Sequence, residues 1–506
     1  MNLSYREIGN VIADDVSPSF DVFRFKALAE EYVFPGTLVG TLISDNQFLI
    51  GRICASIEIN PHESAERAKV REAMSIPADY PSEEFSINIF RVYEAEIIEE
   101  GTVKYNEKKE IIDVDITAPT NMAKAGQKVF IPAEDIISKA MGFNTEPDDS
   151  LVLGKTRITM EDEENSTNNV LLKKQIIQRH IFIGGTTGSG KSFSTGILLE
   201  EISRFKIPII IFDSQEEYFG VASGLGGKTL TPGKDFTIKI SSLTEREIAE
   251  LVPTIRGTQM EELLIFTFLR LKSEGRNFSL DDILRGMETD GPQLQMQART
   301  IQPAIRRVSY YIGRHNFIST ETNLNDLIKT TPVINIDCSD LTQSQLQLVV
   351  ASTLRELTNQ RINKKIPPYV VVIDEAHLLV PESEDSPCKQ VIRENIRIGR
   401  HYGICMILLT QSPVDIDKKT IRQCNTRFIF SLEPDQLDSI RGVKADAPED
   451  TLKRLPKFPR GTCLLSGTYE TLKHAIPVQI RSDRKTKEGG ATPDIFKEVF
   501  ETWKKK

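Results

Sequence analysis

Short, almost unbroken apolar runs recur along the later part of the chain: Ile181–Ile183, Ile207–Phe212, Val333–Ile336, Val370–Ile373, Ile404–Leu409 and Phe428–Ser431. Strands buried on both faces read this way, and helix-like stretches separate several of them, so the pattern predicts a parallel α/β sheet. The first 140 residues have another texture. Phe20–Phe25 alternates apolar and polar positions, Thr37–Ile43 and Phe48–Ile57 flank a Ser44-Asp45-Asn46 turn, and Ile87–Ile97 is a further β-prone run. Short strands punctuated by turns at these intervals suggest a small β-barrel. Residues 241–330 interrupt the α/β pattern with helical signals. Thr244-x-x-Glu247 reads as a capping box with Leu243 and Ile248 as its hydrophobic staple, and Glu261–Lys272 and Leu294–Ile312 run at helical period. An all-helical insertion follows.

Nowhere do eighteen apolar residues run together, and no basic-then-apolar leader follows Met1, so a soluble, cytoplasmic protein without a membrane anchor is expected. Six scattered cysteines with no Cys-x-x-Cys pair favour reduced thiols over a disulfide or zinc framework, and the six histidines form no metal cluster. The formal charge of −9 argues against a coat of phosphate-binding residues. It does not exclude nucleic acid, because a ring can line its bore with a few basic side chains and keep an acidic exterior.

The strongest local signal is Gly184-Gly-Thr-Thr-Gly-Ser-Gly-Lys-Ser192, directly after the Ile181–Ile183 run and before a helical stretch. Gly185-x4-Gly190-Lys191-Ser192 is a complete P-loop in its required strand–loop–helix setting. Backbone N–H groups of such a loop wrap phosphates, and the helix N-terminus adds a favourable dipole. Gly185, Thr186, Thr187, Gly188, Ser189, Gly190, Lys191, Ser192 and Phe193 are therefore the candidate ATP-binding residues. Lys191 reaches the β- and γ-phosphates and Ser192 holds Mg²⁺. The alternative is a glycine turn with an incidental lysine.

Other candidates surround this motif. The apolar strand before Asp374-Glu375 ends as the other half of a P-loop ATPase requires, with Asp374 binding Mg²⁺ through water and Glu375 polarising the attacking water. Gln411, after Ile407–Thr410, is placed to sense the γ-phosphate, or is a solvated strand end. Arg393, Arg397 and Arg400 lie at i, i+4 and i+7, so one helix face carries three guanidinium groups. That face is either solvated or an arginine finger for a neighbouring subunit, with Arg427 a weaker candidate. Asp213 and Glu217-Tyr218 follow the second strand, where they tune the metal site or cap the next helix; His377 reads as a packed or helix-start histidine.

Asp374-Glu375-Ala376-His377 spells the box of a DEAH helicase, but such enzymes need a second complete RecA-like domain, and only about 130 residues remain. A single RecA-like domain must find its arginine finger on another subunit, which implies a ring. The chain resembles the HerA-type DNA translocases of the FtsK–HerA superfamily in an ordered set of motifs. These are Gly36-Thr-Leu-Val39 and Ile50-Gly-Arg-Ile53 in the barrel, the His180–Ser192 stretch, and Ile211-Phe-Asp-Ser-Gln-Glu-Glu-Tyr218. Val372–His377, Gly399–Gly403, Thr410-Gln-Ser-Pro413, Leu455–Gly461 and a basic, Gly-Gly-containing tail complete the order.

The resemblance implies an ATP-driven homohexamer that pumps duplex DNA through a central channel with a docked effector, such as a nuclease or a sirtuin-type NAD-consuming enzyme, in end processing or anti-phage defence. It maps Lys191, Ser192, Asp374, Glu375 and Gln411 onto the nucleotide site, and Arg400, then Arg397, onto the region reaching across the subunit boundary. The expected organisation is a barrel over 1–145, a linker or hairpin over 146–175 with an acidic tip at Glu161–Asn169, and a RecA-like core over 176–240 and 331–480. The insertion fills 241–330, and 481–506 is an extended tail. Two positions depart from the family: Glu216 replaces the glycine before Glu-Tyr, and Ser412 replaces an arginine after the glutamine. They leave open a second reading, an ATP-regulated scaffold that controls a partner without processive DNA movement.

Overall fold

The apolar runs form the strands of a parallel sheet, and the alternating N-terminal segments form a separate antiparallel one. The computed structural model describes residues 4–14, 17–28, 33, 36–59, 90–106, 111–156, 169–322, 324–443 and 445–487. These fall into two compact units, residues 1–173 with 445–455 and 464–479, and residues 174–444 with 456–463 and the C-terminal segment from 480.

The first unit contains β1 (Ser4–Ile12), β2 (Val22–Ala27), β3 (Leu38–Ser44), β4 (Gln47–Ile59), β5 (Phe90–Tyr105), β6 (Ile111–Thr117) and β7 (Lys128–Pro132). Pairing runs β2-β1-β7-β3-β4-β5-β6, and β2 also pairs with β5, so the antiparallel ladder returns on itself. Its enclosed side chains include Ile8, Phe23, Phe25, Val39, Leu49, Tyr93 and Val129, the inward half of each alternating pattern. α1 (Glu134–Met141) follows, then the antiparallel pair β8 (Ser150–Thr156) and β9 (Asn169–Lys173). Most of the acidic Glu161–Asn169 tip, and residues 87–89 of the Ile87–Ile97 run, lie outside the described residues.

In this unit His474 bridges two acids. Its Nδ1 lies 2.7 Å from Asp446 and its Nε2 2.9 Å from Glu99, which is buried. Burial alone would lower the imidazole pKa, but the two carboxylates win and raise it.

The second unit holds β10 (Ile181–Gly184), β11 (Ile209–Asp213), β12 (Lys228–Leu230), the short pair β13 (Ile238–Lys239) and β14 (Ile318–Ser319), β15 (Val333–Asp337), β16 (Tyr369–Ile373), β17 (Ile404–Thr410) and β18 (Thr426–Ile429). Its parallel order is β12-β15-β11-β16-β17-β10-β18, placing β10 between β17 and β18 with Gly184 level with Thr410 and Ile429. Ile209–Ile211 and Val370–Ile373 are fully buried, as a sheet covered on both faces requires. The run read as Ile207–Phe212 begins as a strand only at Ile209, because Pro208 has no N–H for the ladder.

Helices α2 (Lys191–Ser203) and α3 (Phe219–Gly224) follow the first two strands. α4 (Glu245–Glu250), α5 (Gln259–Ser273), α6 (Leu280–Gln293), α7 (Ala298–Gly313) and α8 (Leu324–Thr330) occupy the stretch before β15. The Thr244/Glu247 capping box closes reciprocally, and Leu243 and Ile248 are both buried. The helix read from Leu294 starts instead at Ala298, because Leu294 caps α6 beyond Pro292 and Gln295 takes a left-handed turn (φ 56°). α9 (Gln343–Ile362) and α10 (Pro387–Tyr402) flank β16 in the chain. No helix among the described residues is long and apolar enough to cross a membrane.

Candidate functional site

Gly184 ends β10, and the chain turns through Gly185–Gly190 into α2. Gly188 and Gly190 have φ of 78° and 104°, a conformation costly for any side chain. The loop's walls come from its two neighbouring strands. The Gly185 N–H donates to the Thr410 carbonyl at 3.3 Å and the Thr186 N–H to the Ser431 carbonyl at 2.8 Å. A Cβ on Gly185 would meet Phe430 at 2.6 Å, so only glycine fits. The Gly461 N–H donates to the Ser189 carbonyl at 2.9 Å and fixes the far side of the turn.

Lys191 is buried, and its Nζ donates to the Thr186 carbonyl at 2.9 Å. Burial lowers its pKa, against the pull of Glu375, Asp374 and Glu217. Thr187 and Gly188 are exposed at the loop's rim, and Ser192 and Phe193 are half-buried at the start of α2. The Arg484 guanidinium sits 5.5 Å from the Phe193 ring centroid.

Asp374 and Glu375 follow β16 at the same sheet edge. Asp374 is buried, and its Oδ2 has no hydrogen-bond partner among the described residues. Burial first, then Glu375, Glu217 and Asp213, hold its pKa well above the carboxylate range. Glu375 adopts a left-handed backbone conformation (φ 48°). Its Oε1 accepts the side-chain amides of Gln215, at 2.9 Å, and Gln411, and its Oε2 lies 3.3 Å from His377 Nδ1. Burial would raise Glu375, but the His377 contact, with Lys191, brings it below its ordinary value. Gln411 also accepts the Thr187 hydroxyl, so it ties the loop to the acid pair.

Asp213 accepts the N–H groups of Gln215, Glu217 and Tyr218 and lies 3.3 Å from the Asn335 amide. Its oxygens are committed to the turn entering α3, although α3 itself, with Tyr218 as its N-cap residue, has no side-chain cap. Gln215, which the sequence reading passed over, is an amide on Glu375. Its only signal was its place two residues beyond a buried strand end.

The arginines of α10 fare differently from one another. Arg393 is engaged by Asp417 at 2.6 and 3.1 Å, and Arg397 by Glu394 on the exposed surface. Arg400 is exposed without an ion pair among the described residues. None of the three bonds to the loop of its own chain among those residues. Arg427 is nearly buried, donates to the Arg422 carbonyl at 3.3 Å, and has its pKa lowered by burial. A cavity of about 360 Å³ between α4, α7 and α9, lined by Glu247, Tyr311, Arg314 and Gln345 among others, shares no residue with the loop.

The segment after β20 (Ile476–Ile480; β19 is Thr462–Gly467) runs back over α2 and α3. The N–H groups of Lys485 and Thr486 and the Thr486 hydroxyl all donate to Glu200 at 2.7–2.9 Å. Three glycines make room: a Cβ on Gly196 would meet the Arg484 guanidinium at 2.4 Å, on Gly220 the Lys487 carbonyl oxygen at 2.4 Å, and on Gly224 the Thr486 methyl at 2.9 Å. The expected tail is thus seated through Lys487, and 488–506 lie outside the described residues.

Comparison with known proteins finds likenesses of sequence and of fold. Residues 156–357 match the family model described as the helicase HerA central domain, and residues 316–432 the model for ATPases associated with various cellular activities. The chain is 23% identical over 500 residues to the DNA double-strand break repair helicase HerA of Sulfolobus acidocaldarius, covering 90% of this chain and 97% of that protein. It is 24% identical over 360 residues to the protein of the same name from Sulfurisphaera tokodaii, covering 66% and 70%. Among solved structures, VirB4 of Thermoanaerobacter pseudethanolicus superposes with a TM-score of 0.52 at 16% identity, over 67% of this chain and 98% of that one, a likeness of fold.

Proposed function

Because the chain is a HerA-type P-loop ATPase and hydrolyses ATP, we propose that it uses hydrolysis to drive double-stranded DNA through a homohexameric ring, in support of a partner effector. The effector is a nuclease or a sirtuin-type NAD-consuming enzyme, and the setting is DNA end processing or anti-phage defence in the cytoplasm. In this reading the self-closing ladder of the first unit is a small N-terminal barrel, and the helices of 241–330 are an insertion in a RecA-like core.

The observation that carries the reading is the convergence of Lys191, Glu375 and Gln411 at one edge of the parallel sheet. With the Gly185 and Thr186 N–H groups holding the loop to its flanking strands, the loop N–H groups beyond them, up to Phe193, cradle the ATP phosphates, and Lys191 exchanges the Thr186 carbonyl for β- and γ-phosphate oxygens. Glu375, ionised and oriented by two amides, accepts a hydrogen bond from the attacking water. Gln411 touches both the loop and Glu375 and so links γ-phosphate occupancy to the geometry of the base. Asp374, whose Oδ2 has no hydrogen-bond partner among the described residues, and the Ser192 hydroxyl would hold a Mg²⁺ ion, which would supply neutralisation of phosphate charge. Arg400, with Arg397 behind it, reaches a neighbouring subunit's γ-phosphate.

Steady-state ATPase with and without linear duplex DNA, alongside Glu375→Gln, tests the reading. Strong stimulation by DNA that vanishes in the variant supports a motor; turnover indifferent to DNA removes it. The scaffold reading draws on Ser412 and Glu216. The Ser412 hydroxyl donates to Asp415 at 2.5 Å and Glu216 accepts from Ser339 at 3.1 Å, so neither reaches the acid pair. A scaffold would fail to strip the third strand from a triplex.

A further inference from the structure

Helix α7 holds Arg299, Arg306 and Arg307, ends in Arg314 as its cap, and contains no acid, in a chain of formal charge −9. Its buried stripe is Ile301, Ala304, Val308 and Ile312. At 3.6 residues per turn, Arg299, Arg306, Tyr310 and Arg314 fall on the opposite side. All four are exposed, Tyr310 to 66%, with the Arg314 guanidinium 5.8 Å from its ring centroid. Arg307 leans on the Met260 sulfur at 3.1 Å. Among the described residues neither Arg299 nor Arg306 has an ion pair. Neighbouring cations are compensated: Arg270 by Glu274 and Asp290, and Arg246 by Glu250 and Asp385.

An ordinary solvated helix face mixes signs. A row of one sign repels itself and raises the local potential, a cost that a polyanion removes. From Arg299 to Arg314 the row measures about 22 Å at 1.5 Å per residue, the rise of roughly six nucleotides along one strand. The exposed tyrosine beside a guanidinium adds a flat apolar surface that suits a deoxyribose of the backbone better than an acidic peptide. Resting on the translocase reading above, we propose that this face of α7 is a nucleic-acid contact, with Arg299, Arg306 and Arg314 on backbone phosphates of duplex DNA and Tyr310 packed against the strand.

The test is anisotropy of a labelled linear duplex over a salt series, with the full chain and a non-hydrolysable ATP analogue. Arg299→Gln/Arg306→Gln is expected to make the slope of log affinity against log salt shallower by about 2 and to weaken binding tens-fold near 0.1 M salt, roughly 0.9 in slope per phosphate contact. Its ATPase without DNA stays at the wild-type rate. Arg299→Lys/Arg306→Lys keeps the slope, and Tyr310→Ala lowers affinity without changing it. A wild-type slope and affinity in the glutamine protein overturns the assignment, as does failure of the lysine protein to hold the slope; the face then serves a protein partner. Absence of duplex binding by the wild-type protein has a different signature and removes the translocase reading itself.

Discussion

Gln411 donates its side-chain amide to the carboxylate of Glu375 while its carbonyl holds the Thr187 hydroxyl, so one side chain couples the phosphate loop to the second member of the acid pair. Gln411→Ala removes both contacts but leaves Gln215 on Glu375. Turnover is expected to fall about 10- to 100-fold with nucleotide affinity within a few-fold, since positioning rather than the base itself is lost. Single-turnover hydrolysis beside fluorescent-nucleotide binding separates the two; an equal loss in both would place Gln411 in binding alone.

Glu375→Gln keeps the shape of this network and removes the carboxylate that the proposed reading makes the base. Nucleotide binding should survive while hydrolysis drops about 10²- to 10⁴-fold, whereas Lys191→Ala should abolish turnover by weakening phosphate binding. Normal turnover in the Glu375→Gln protein would take Glu375 out of its role.

Asp374 is a buried acid with its pKa raised, so its favourable contribution to folding exists below the unfolded value of 3.8 and is lost as pH rises through the folded value. The ionised form is a cost that a bound cation offsets. Asp374→Asn is therefore expected to melt higher than wild type without Mg²⁺ or nucleotide, by roughly 2–4 °C for each kcal/mol relieved, while losing ATP turnover. Wild-type affinity for Mg²⁺ should rise with pH, because the cation must displace a proton. A melting point that drops on substitution would show that the carboxyl has a structural partner.

His474 carries the opposite dependence for the first unit. Its raised pKa means that its stabilisation is complete below the unfolded value of 6.5 and disappears as pH climbs through the higher folded value. The Asp446 carboxyl, lowered in pKa, loses its contribution only in much stronger acid. The melting-point advantage of wild type over His474→Gln should thus be largest near about pH 5.5 and shrink above neutrality. An advantage flat across that interval would mean packing, not charge, holds the cluster.

The motifs legible in the sequence were those whose meaning is local. The P-loop is nine consecutive residues whose glycines set their own backbone, and Asp374-Glu375 announces itself by the buried strand before it. What stayed hidden depends on distance along the chain. Gln215 meets Glu375 across 160 residues, and Asp417, in the stretch after β17, takes Arg393 out of the arginine row. The 481–487 segment reads as polar and unstructured, because the notches that seat it, Gly196, Gly220 and Gly224, lie on two helices and become a groove only when these pack.

That groove is testable without touching the site. Gly220→Ala favours the helix by about 1 kcal/mol yet drives a methyl into the Lys487 carbonyl, a backbone atom that cannot step aside alone. Amide exchange at Lys485 and Thr486 should quicken while the core of the sheet is unchanged. Unaltered exchange there would mean Glu200 alone holds the segment.

The walls of the phosphate loop are supplied late in synthesis. Thr187 meets Gln411 224 residues further on, and Thr186 meets Ser431 245 residues further on. At about 5–20 residues per second, a nascent chain carries its loop unwalled for roughly 10–50 seconds. Through that interval β10 lacks both neighbours in the sheet, so on the proposed reading nucleotide has a site to enter only once the last strands have closed around the loop.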